Sequence, residues 1–402
     1  MKKLLFIILL IASQAGAQLA VKGGIIHTMD GPAIPNGVVV VTEGRISAVG
    51  PATEVTIPDG YEVLEAAVVT PGLIDAHSTV GLSGIYNVPA DQDMLDKSAP
   101  MQPELRAVDA YNPNEPLVDW VRSFGVTTLH TGHAPGVPVS GQTMIVKTRG
   151  TTVTEAVVRE TVAVAATLTP PTPFFKSEEA PPSRAKTMAM LRQDLIKAQE
   201  SRRQLADEDA DGPPPARDLH AETMVRVLEG ELALMITAHK VRDITNALRL
   251  AEEFGLKLWL DGAAEAHQVI PAIKEAGVPV LLHPTMTRGF ASTESVSMTT
   301  AALLAEAGIP FALQSGYESY VPKTRVVLFE AGVAASHGLG FERALASITS
   351  EAATILGIGG RVGSLTVGKD GDLALYDGDP FEYTSHCTGV VIEGELVSDI
   401  VR

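Results

Sequence analysis

Hydrophobic positions in the middle of the chain alternate between two spacings, one typical of amphipathic helices and one typical of buried strands. Short apolar runs with strand character occur at residues 125–129, 256–260, 278–282 and 309–313. The last three of these runs follow stretches with helical spacing at residues 244–254, 266–276 and 299–307. Repeated units of a helix and then a buried strand predict a parallel sheet, and their number favours a closed barrel over an open sheet.

Both ends of the chain have a different pattern, in which short β-branched runs are broken by turn residues. Gly37–Val41 and Arg45–Val49 lie near the start, and Asp372–Tyr376 and Gly389–Gly394 lie near the end. These patterns predict strands joined by tight turns. Two β-rich ends can pair with each other, so we expect them to form one small domain.

The first 17 residues have the pattern of a secretory signal peptide. Lys2 and Lys3 precede an apolar run from Leu4 to Ala12, and the small residues Ala15–Ala17 come directly before Gln18. A basic head, a short apolar middle and a small-residue cleavage site predict a cleaved leader, residues 1–17, and a periplasmic protein. The run is too short for a stable membrane anchor.

Composition narrows the possible partners. The formal net charge is −17, and no cluster of Lys and Arg stands out against it, so we expect no nucleic-acid partner. The single cysteine, Cys387, allows neither an internal disulfide nor a cysteine-based metal site. A length of 402 residues suits a barrel of roughly 250 residues with an accessory domain.

Residues 168–219 interrupt the alternation of strands and helices. Prolines cluster at 170–173, 181–182 and 213–215, on either side of a charged helical stretch at 183–206. We interpret this segment as a proline-rich, charged surface insertion in a connection of the barrel.

Two segments resemble a known family. Thr70–His77 resembles the first barrel strand of amidohydrolases related to imidazolonepropionase and the dihydroorotase-type hydrolases, and Gly363–Leu373 resembles their return into the β domain. The resemblance implies an α/β fold: a (β/α)8 TIM barrel over residues 70–359, with a small β-sandwich domain formed by 18–69 and 360–402. It also implies hydrolysis of C–N bonds other than peptide bonds, with one or two divalent metal ions.

This sequence departs from the family at its metal-binding positions. Such hydrolases use a metal to lower the pKa of water and to polarise a carbonyl, and imidazoles and carboxylates at the ends of strands hold the ion. By the resemblance these positions are His77, Thr79, Thr237, Gly262 and, for the catalytic aspartate, Gly316. Only His77 keeps a ligand side chain, so we expect no metal cofactor and a ligand-binding or pseudoenzyme role.

Other polar residues leave alternatives open. His77, His239 and Asp261 are candidate catalytic residues, although each has a plainer interpretation as barrel lining or, for Asp261, as a helix cap. An active hydrolase with a rebuilt metal site is a second hypothesis, with zinc or another divalent metal bound among five histidines: His77, His130, His133, His239 and His283.

The remaining expectations concern what the protein binds. A barrel mouth of this kind predicts a small-molecule ligand or substrate, whose identity depends on loops that the sequence does not specify. A homo- or hetero-oligomer is also possible, and a third hypothesis is a non-catalytic subunit that pairs with an intact relative. A carbamylated lysine, which some relatives carry on the fourth strand, cannot be assigned from the sequence.

Overall fold

The computed structural model describes residues 18–402, apart from residues 87, 169–182, 207–215, 286–288, 290 and 318–325. The predicted signal peptide, residues 1–17, lies outside the described residues, as does much of the predicted insertion. Within the described part of the chain, no helix is both long and apolar enough to cross a membrane.

One sheet is built from both ends of the chain, which confirms the predicted terminal domain. Its seven strands have the order β15-β14-β13-β4-β1-β2-β3, and β1 is parallel to β4 while the other neighbours are antiparallel. The C-terminal strands join the N-terminal ones where Leu373 pairs with Pro71. The strands are β1 Gln18–Ile26, β2 Ile34–Thr42, β3 Arg45–Pro51, β4 Glu62–Pro71, β13 Leu373–Tyr376, β14 Cys387–Ile392 and β15 Glu395–Ser398.

The second sheet forms the predicted eight-stranded barrel. Its strands follow chain order from β5 to β12. The backbone N–H of Gly316 donates to the carbonyl of His77 at 3.2 Å, and Ser78 pairs with Gly316, so the chain beyond β12 closes onto β5. The strands are β5 Leu73–Ser78, β6 Val126–Gly132, β7 Val139–Lys147, β8 Val157–Thr167, β9 Ala233–Ala238, β10 Leu258–Gly262, β11 Val280–Leu282 and β12 Phe311–Leu313.

The third barrel strand, β7, runs antiparallel to both of its neighbours, so the expectation of an entirely parallel barrel is wrong here. Parallel neighbours need a crossover connection of roughly a dozen residues or more, and β6 is joined to β7 by residues 133–138 alone. The chain therefore turns back as a hairpin. As a result β7 begins at the barrel mouth and ends with Lys147 at the opposite end.

Helices pack around the barrel in the pattern that the sequence predicts. In α5, Ile244, Ala247 and Leu250 face the core, and the helix ends at Gly255 in the left-handed conformation, with φ +67°. The helices are α1 Pro116–Arg122, α2 Val153–Ala156, α3 Arg184–Ala206, α4 Leu219–Leu228, α5 Val241–Phe254, α6 Ile270–Ala276, α7 Thr300–Ala307, α8 Val327–Ala334, α9 Phe341–Ser347 and α10 Ser350–Ile355.

Helix α3 is the charged stretch of the predicted insertion. Met188, Leu191 and Leu195 are buried in the main core although most of their neighbours along the helix are polar. This helix is therefore attached to the barrel through an apolar stripe and is more than a solvated surface segment.

A buried ion-pair network joins the barrel to the terminal domain. The Lys147 ammonium lies 3.2 Å from Asp370 and also pairs with Asp372, and all three side chains are almost fully buried. The Gly72 amide donates to the Asp372 carbonyl at 2.9 Å. The turn that returns the chain to the terminal domain is thus fixed against the end of the barrel opposite the mouth.

Candidate functional site at the barrel mouth

Five polar residues singled out from the sequence lie at or just beyond the ends of barrel strands, and all are buried. Their exposed fractions are at most 3%. They are His77 in β5, His130 in β6, His239 after β9, Asp261 in β10 and His283 after β11. Because the parallel strands end at the same side of the barrel, these side chains meet at its mouth.

Asp261 is the centre of a hydrogen-bond network that connects four strands or strand ends. Its Oδ1 accepts from His77 Nδ1 at 2.8 Å and from Gln314 Nε2 at 2.7 Å, and its Oδ2 accepts from Thr237 Oγ1 at 2.6 Å. Burial alone would raise the pKa of Asp261, but its electrostatic interaction with the His77 ring and these hydrogen bonds lower it to about 2. Asp261 is therefore an ionised carboxylate held by three donors, and it does not serve as a helix cap.

The pairing with Asp261 determines the tautomer of His77. A carboxylate only accepts hydrogen bonds, so the proton of the His77 ring is on Nδ1. Nε2 has no hydrogen-bond partner among the described residues. The ring is packed between His130, with centroids 5.6 Å apart, and Tyr317, with centroids 5.9 Å apart.

His130 uses both of its ring nitrogens inside the barrel. Nδ1 donates to the Ala76 carbonyl at 2.5 Å, and Nε2 accepts from the Thr143 hydroxyl at 2.7 Å. Burial and the nearby His77 ring lower the pKa of His130 to about 3, although the hydrogen bond to Ala76 and the Asp261 carboxylate act in the opposite direction. This ring is neutral and has no free nitrogen for a metal or a substrate.

Two glycines stand where the family places a ligand histidine and the catalytic aspartate, and neighbouring histidines fill the space beside them. A Cβ atom on Gly262 would lie less than 3.0 Å from the His239 ring, and one on Gly316 would lie less than 3.0 Å from the His283 ring. Both glycines have positive φ, +76° and +87°, which side chains rarely adopt. The two histidines thus occupy the space where the lost side chains would begin.

The fifth histidine of the rebuilt-site hypothesis lies apart from the others. His133 is in the hairpin connection and packs against Gly141 of β7. Burial lowers the pKa of His133 to about 4. No ring contact joins it to the other four histidines within the described ranges. Thr79, at the second position of the expected His-x-His pair, shares a 2.9 Å hydrogen bond with Ser83 of the following loop.

Sequence reasoning missed two residues at the mouth, Tyr317 and Gln314, and a third residue that closes the barrel beside it. The hydroxyl of Tyr317 is 2.9 Å from His239 Nε2, and its ring lies 6.2 Å from that of His283. Gln314 bonds to Asp261 and also donates to the Leu281 carbonyl at 2.7 Å. Gln314 precedes Gly316 by two residues, so the alternation of a strand could have placed it on the same face.

Asp75, the third missed residue, joins the first strand to the segment after the last. It accepts from the Ser315 backbone N–H at 3.0 Å and from the Ser315 hydroxyl. Burial raises the pKa of Asp75 to about 6, although the hydrogen bonds from Ser315 and His77 act in the opposite direction. This carboxyl group closes the barrel rather than facing the mouth network of Asp261.

These residues do not fit the metal ions that the family implies. Across the parts of the chain that the structure describes, no group of three or more His, Cys, Asp or Glu side chains is arranged to hold an ion. The fourth strand, Val157–Thr167, contains no lysine that could be carbamylated. Of the family's positions, Thr237 donates to Asp261, and two are glycines beside a neighbouring histidine ring.

Comparison with known proteins agrees with the fold and the resemblance. A family model described as "Amidohydrolase family" matches residues 263–398. An imidazolonepropionase from Rhizobium rhizogenes is 24% identical over 385 residues, which cover 86% of this chain and 87% of that protein. The amidohydrolase tasK of Hapsidospora irregularis is 24% identical over 396 residues, 90% of this chain, but the chain spans only 40% of its length.

A solved structure extends the likeness to nearly the whole chain. An amidohydrolase from Thermotoga maritima MSB8 superimposes with a TM-score of 0.87 at 26% identity, covering 95% of this chain and 100% of that one. An adenosine deaminase from Xanthomonas campestris with bound zinc, at 16% identity and a TM-score of 0.57, shares the fold alone. Given the barrel, the terminal domain and these relatives, the chain belongs to the amidohydrolase superfamily.

Proposed function

We propose that this protein is an exported member of the amidohydrolase superfamily that binds a small molecule at its barrel mouth without a metal ion. The proposal rests on how closely the His239 ring approaches Gly262 and the His283 ring approaches Gly316. A side chain at either glycine would overlap an imidazole ring, so the family's ligand set has no room to form in this arrangement.

Counting donors leads to the same conclusion. Metal sites of this kind hold the ion with three or more protein ligands. Of the family's positions only His77 offers an imidazole, and its Nδ1 is bonded to Asp261. A hydroxyl such as that of Thr237 is a weak ligand for zinc compared with imidazole, and here it donates to a carboxylate. An ion bound by His77 alone would keep most of its waters and leave on dialysis.

Metal analysis of the purified full-length protein tests this proposal. We expect well under one equivalent of zinc, iron or manganese, and only a small rise in Tm when zinc is added, because stabilisation depends on ligand concentration relative to Kd. A variant with His386→Ala serves as the control, since His386 is an exposed histidine of the terminal domain. Near-stoichiometric metal that is lost on His239→Ala or His283→Ala, but kept in the control, would favour the rebuilt site instead.

The lining of the mouth supports a small polar ligand. Ligand sites in barrels of this class lie at the carboxyl ends of the strands and combine an apolar wall with a few fixed polar groups. His77 and Tyr317 supply ring faces there, and the Asp261 network holds the polar groups in place.

Export is the second part of the proposal, and it depends on residues 1–17. A leader cleaved after Ala17 would leave Gln18, the first residue of β1, as the new N-terminus. Intact-mass measurement of the protein from its native host should give the mass of residues 18–402. A mass that retains the first 17 residues would contradict export by this route.

A further inference from the structure

We propose that His77 and Asp261 form a metal-independent general base that activates water for attack on a carbonyl compound at the barrel mouth. The inference rests on the proposed function, because it concerns a mouth without a metal ion. It goes beyond that function by assigning a hydrolytic step to two residues.

The first support is the way in which Asp261 is held. Thr237 of the neighbouring strand β9 donates to one oxygen at 2.6 Å, and Gln314, just after β12, donates to the other at 2.7 Å. His77 Nδ1 donates to the same oxygen as Gln314, at 2.8 Å. In Ser-His-Asp hydrolases a buried aspartate likewise fixes the tautomer of a histidine and stabilises the imidazolium that forms. Here Asp261 is a positioning residue for His77.

The second support is the other ring nitrogen. Nε2 of His77 lies on the far side of the ring from Asp261 and has no partner among the described residues, although the side chain is fully buried. A buried acceptor left unsatisfied costs about 1–3 kcal/mol, so a donor from water or a ligand is expected there. The nearest other imidazole, His130, does not compete, because both of its nitrogens are bonded within the barrel.

The step balances without a cofactor. His77 Nε2 accepts a proton from water while the water oxygen bonds to the carbonyl carbon, and the carbonyl π electrons move to the carbonyl oxygen. When the tetrahedral intermediate collapses, the bond from carbon to the leaving nitrogen or oxygen breaks. The proton on Nε2 passes to the leaving atom, which regenerates neutral His77 and releases a carboxylic acid with an amine or an alcohol.

The chain contains a natural control for this pair. His386 Nδ1 lies 2.9 Å from Asp377 Oδ2, but both side chains are nearly half exposed, on the terminal domain. The chemical groups are the same as in the pair of His77 and Asp261, but the setting is exposed, and the other donor to the Asp377 carboxylate is the His386 backbone N–H at 2.6 Å instead of side chains from other strands. His386→Gln therefore removes a histidine–aspartate pair without changing the mouth.

Hydrolysis of p-nitrophenyl acetate, a small activated ester, tests the proposal in the presence of EDTA. General-base catalysis contributes about 10²–10⁴-fold, so we expect His77→Gln and Asp261→Asn each to lower the rate by about 10²-fold. His386→Gln should leave the rate unchanged. Circular dichroism and Tm identify any variant that fails to fold, and the second mouth variant then provides the comparison.

Proton NMR gives a readout that does not depend on a substrate. The Nδ1 proton shared with Asp261 should resonate downfield of the backbone amides, should disappear in His77→Gln and Asp261→Asn, and should remain in His386→Gln. If the rate in EDTA is equal in wild type and His77→Gln, the general-base inference is wrong, but the proposed metal-free function is unaffected. A rate that EDTA abolishes and zinc restores would instead contradict the proposed metal-free function.

Discussion

Replacing Gly262 with alanine tests directly whether the His239 ring leaves room for a side chain at this position of the mouth. Gly262 has φ +76°, and an added Cβ would lie 2.4 Å from Cε1 and 2.9 Å from Nδ1 of the neighbouring His239 ring. The substitution therefore introduces two separate penalties, one in the backbone and one in the packing.

Their sizes follow from the local geometry. An L-residue in the left-handed region costs roughly 1–2 kcal/mol. Overpacking a buried site adds about 1–3 kcal/mol, because the His239 ring is 3% exposed and its Nε2 is bonded to Tyr317. We therefore expect Gly262→Ala to lower the free energy of unfolding by about 2–5 kcal/mol.

Urea unfolding followed by circular dichroism measures this change, with Gly277→Ala as the matched control. Gly277 has a similar φ of +64°, but nothing lies within 4 Å of its added Cβ, so only the backbone penalty applies. Combining Gly262→Ala with His239→Ala should remove the packing penalty, which gives a favourable coupling energy of about 0.5–3 kcal/mol. An equal loss of unfolding free energy in the two glycine variants, or no coupling with His239→Ala, would refute the inference that the His239 ring occupies the space beside Gly262.

Two further predictions concern buried charge. Lys147→Met should lower the free energy of unfolding by about 3–5 kcal/mol, because it leaves the buried Asp372 without its cation, although Asp370 keeps its pair with Arg361. Lys22→Met removes only an exposed pair with Glu65, so it should change the free energy of unfolding little in the same urea experiment. Folding lowers the pKa of His130 from 6.5 to about 3. Between these pH values the unfolded chain holds a proton that the folded chain lacks, so the free energy of unfolding should rise with pH across this window. The urea midpoint should therefore rise less steeply from about pH 4 to 6.5 in His130→Gln than in wild type, and parallel curves would contradict the assigned neutral ring.

Much of the fold could be predicted because it depends on local patterns. The apolar runs near residues 258, 280 and 311 are indeed barrel strands, and the β-rich ends do pair into one sheet. The period of a strand determines which of its residues share a face, so such runs are recognisable without knowledge of their partners.

Contacts between distant parts of the chain account for what the sequence did not reveal. Asp261 was considered as a helix cap because only its neighbours along the chain were visible, whereas its partners are His77, Thr237 and Gln314 from other strands. Tyr317 gave no signal, since a tyrosine after a glycine is common in loops. The antiparallel strand β7 was missed because its sequence, Val139–Lys147, mixes polar and apolar residues and does not indicate how the strand pairs.

The hairpin formed by β6, β7 and β8 has a consequence for how the barrel assembles. In this meander Gly132 pairs with Thr143 and Gln142 with Val164, residues that are close along the chain, whereas the next pairing joins Ala163 to Ala233. Closing a short loop loses less entropy than closing a long one, and local pairings form faster. We therefore expect amide hydrogens of residues 126–167 to gain protection from exchange first during refolding, so that this meander becomes the template onto which the parallel half of the barrel is added.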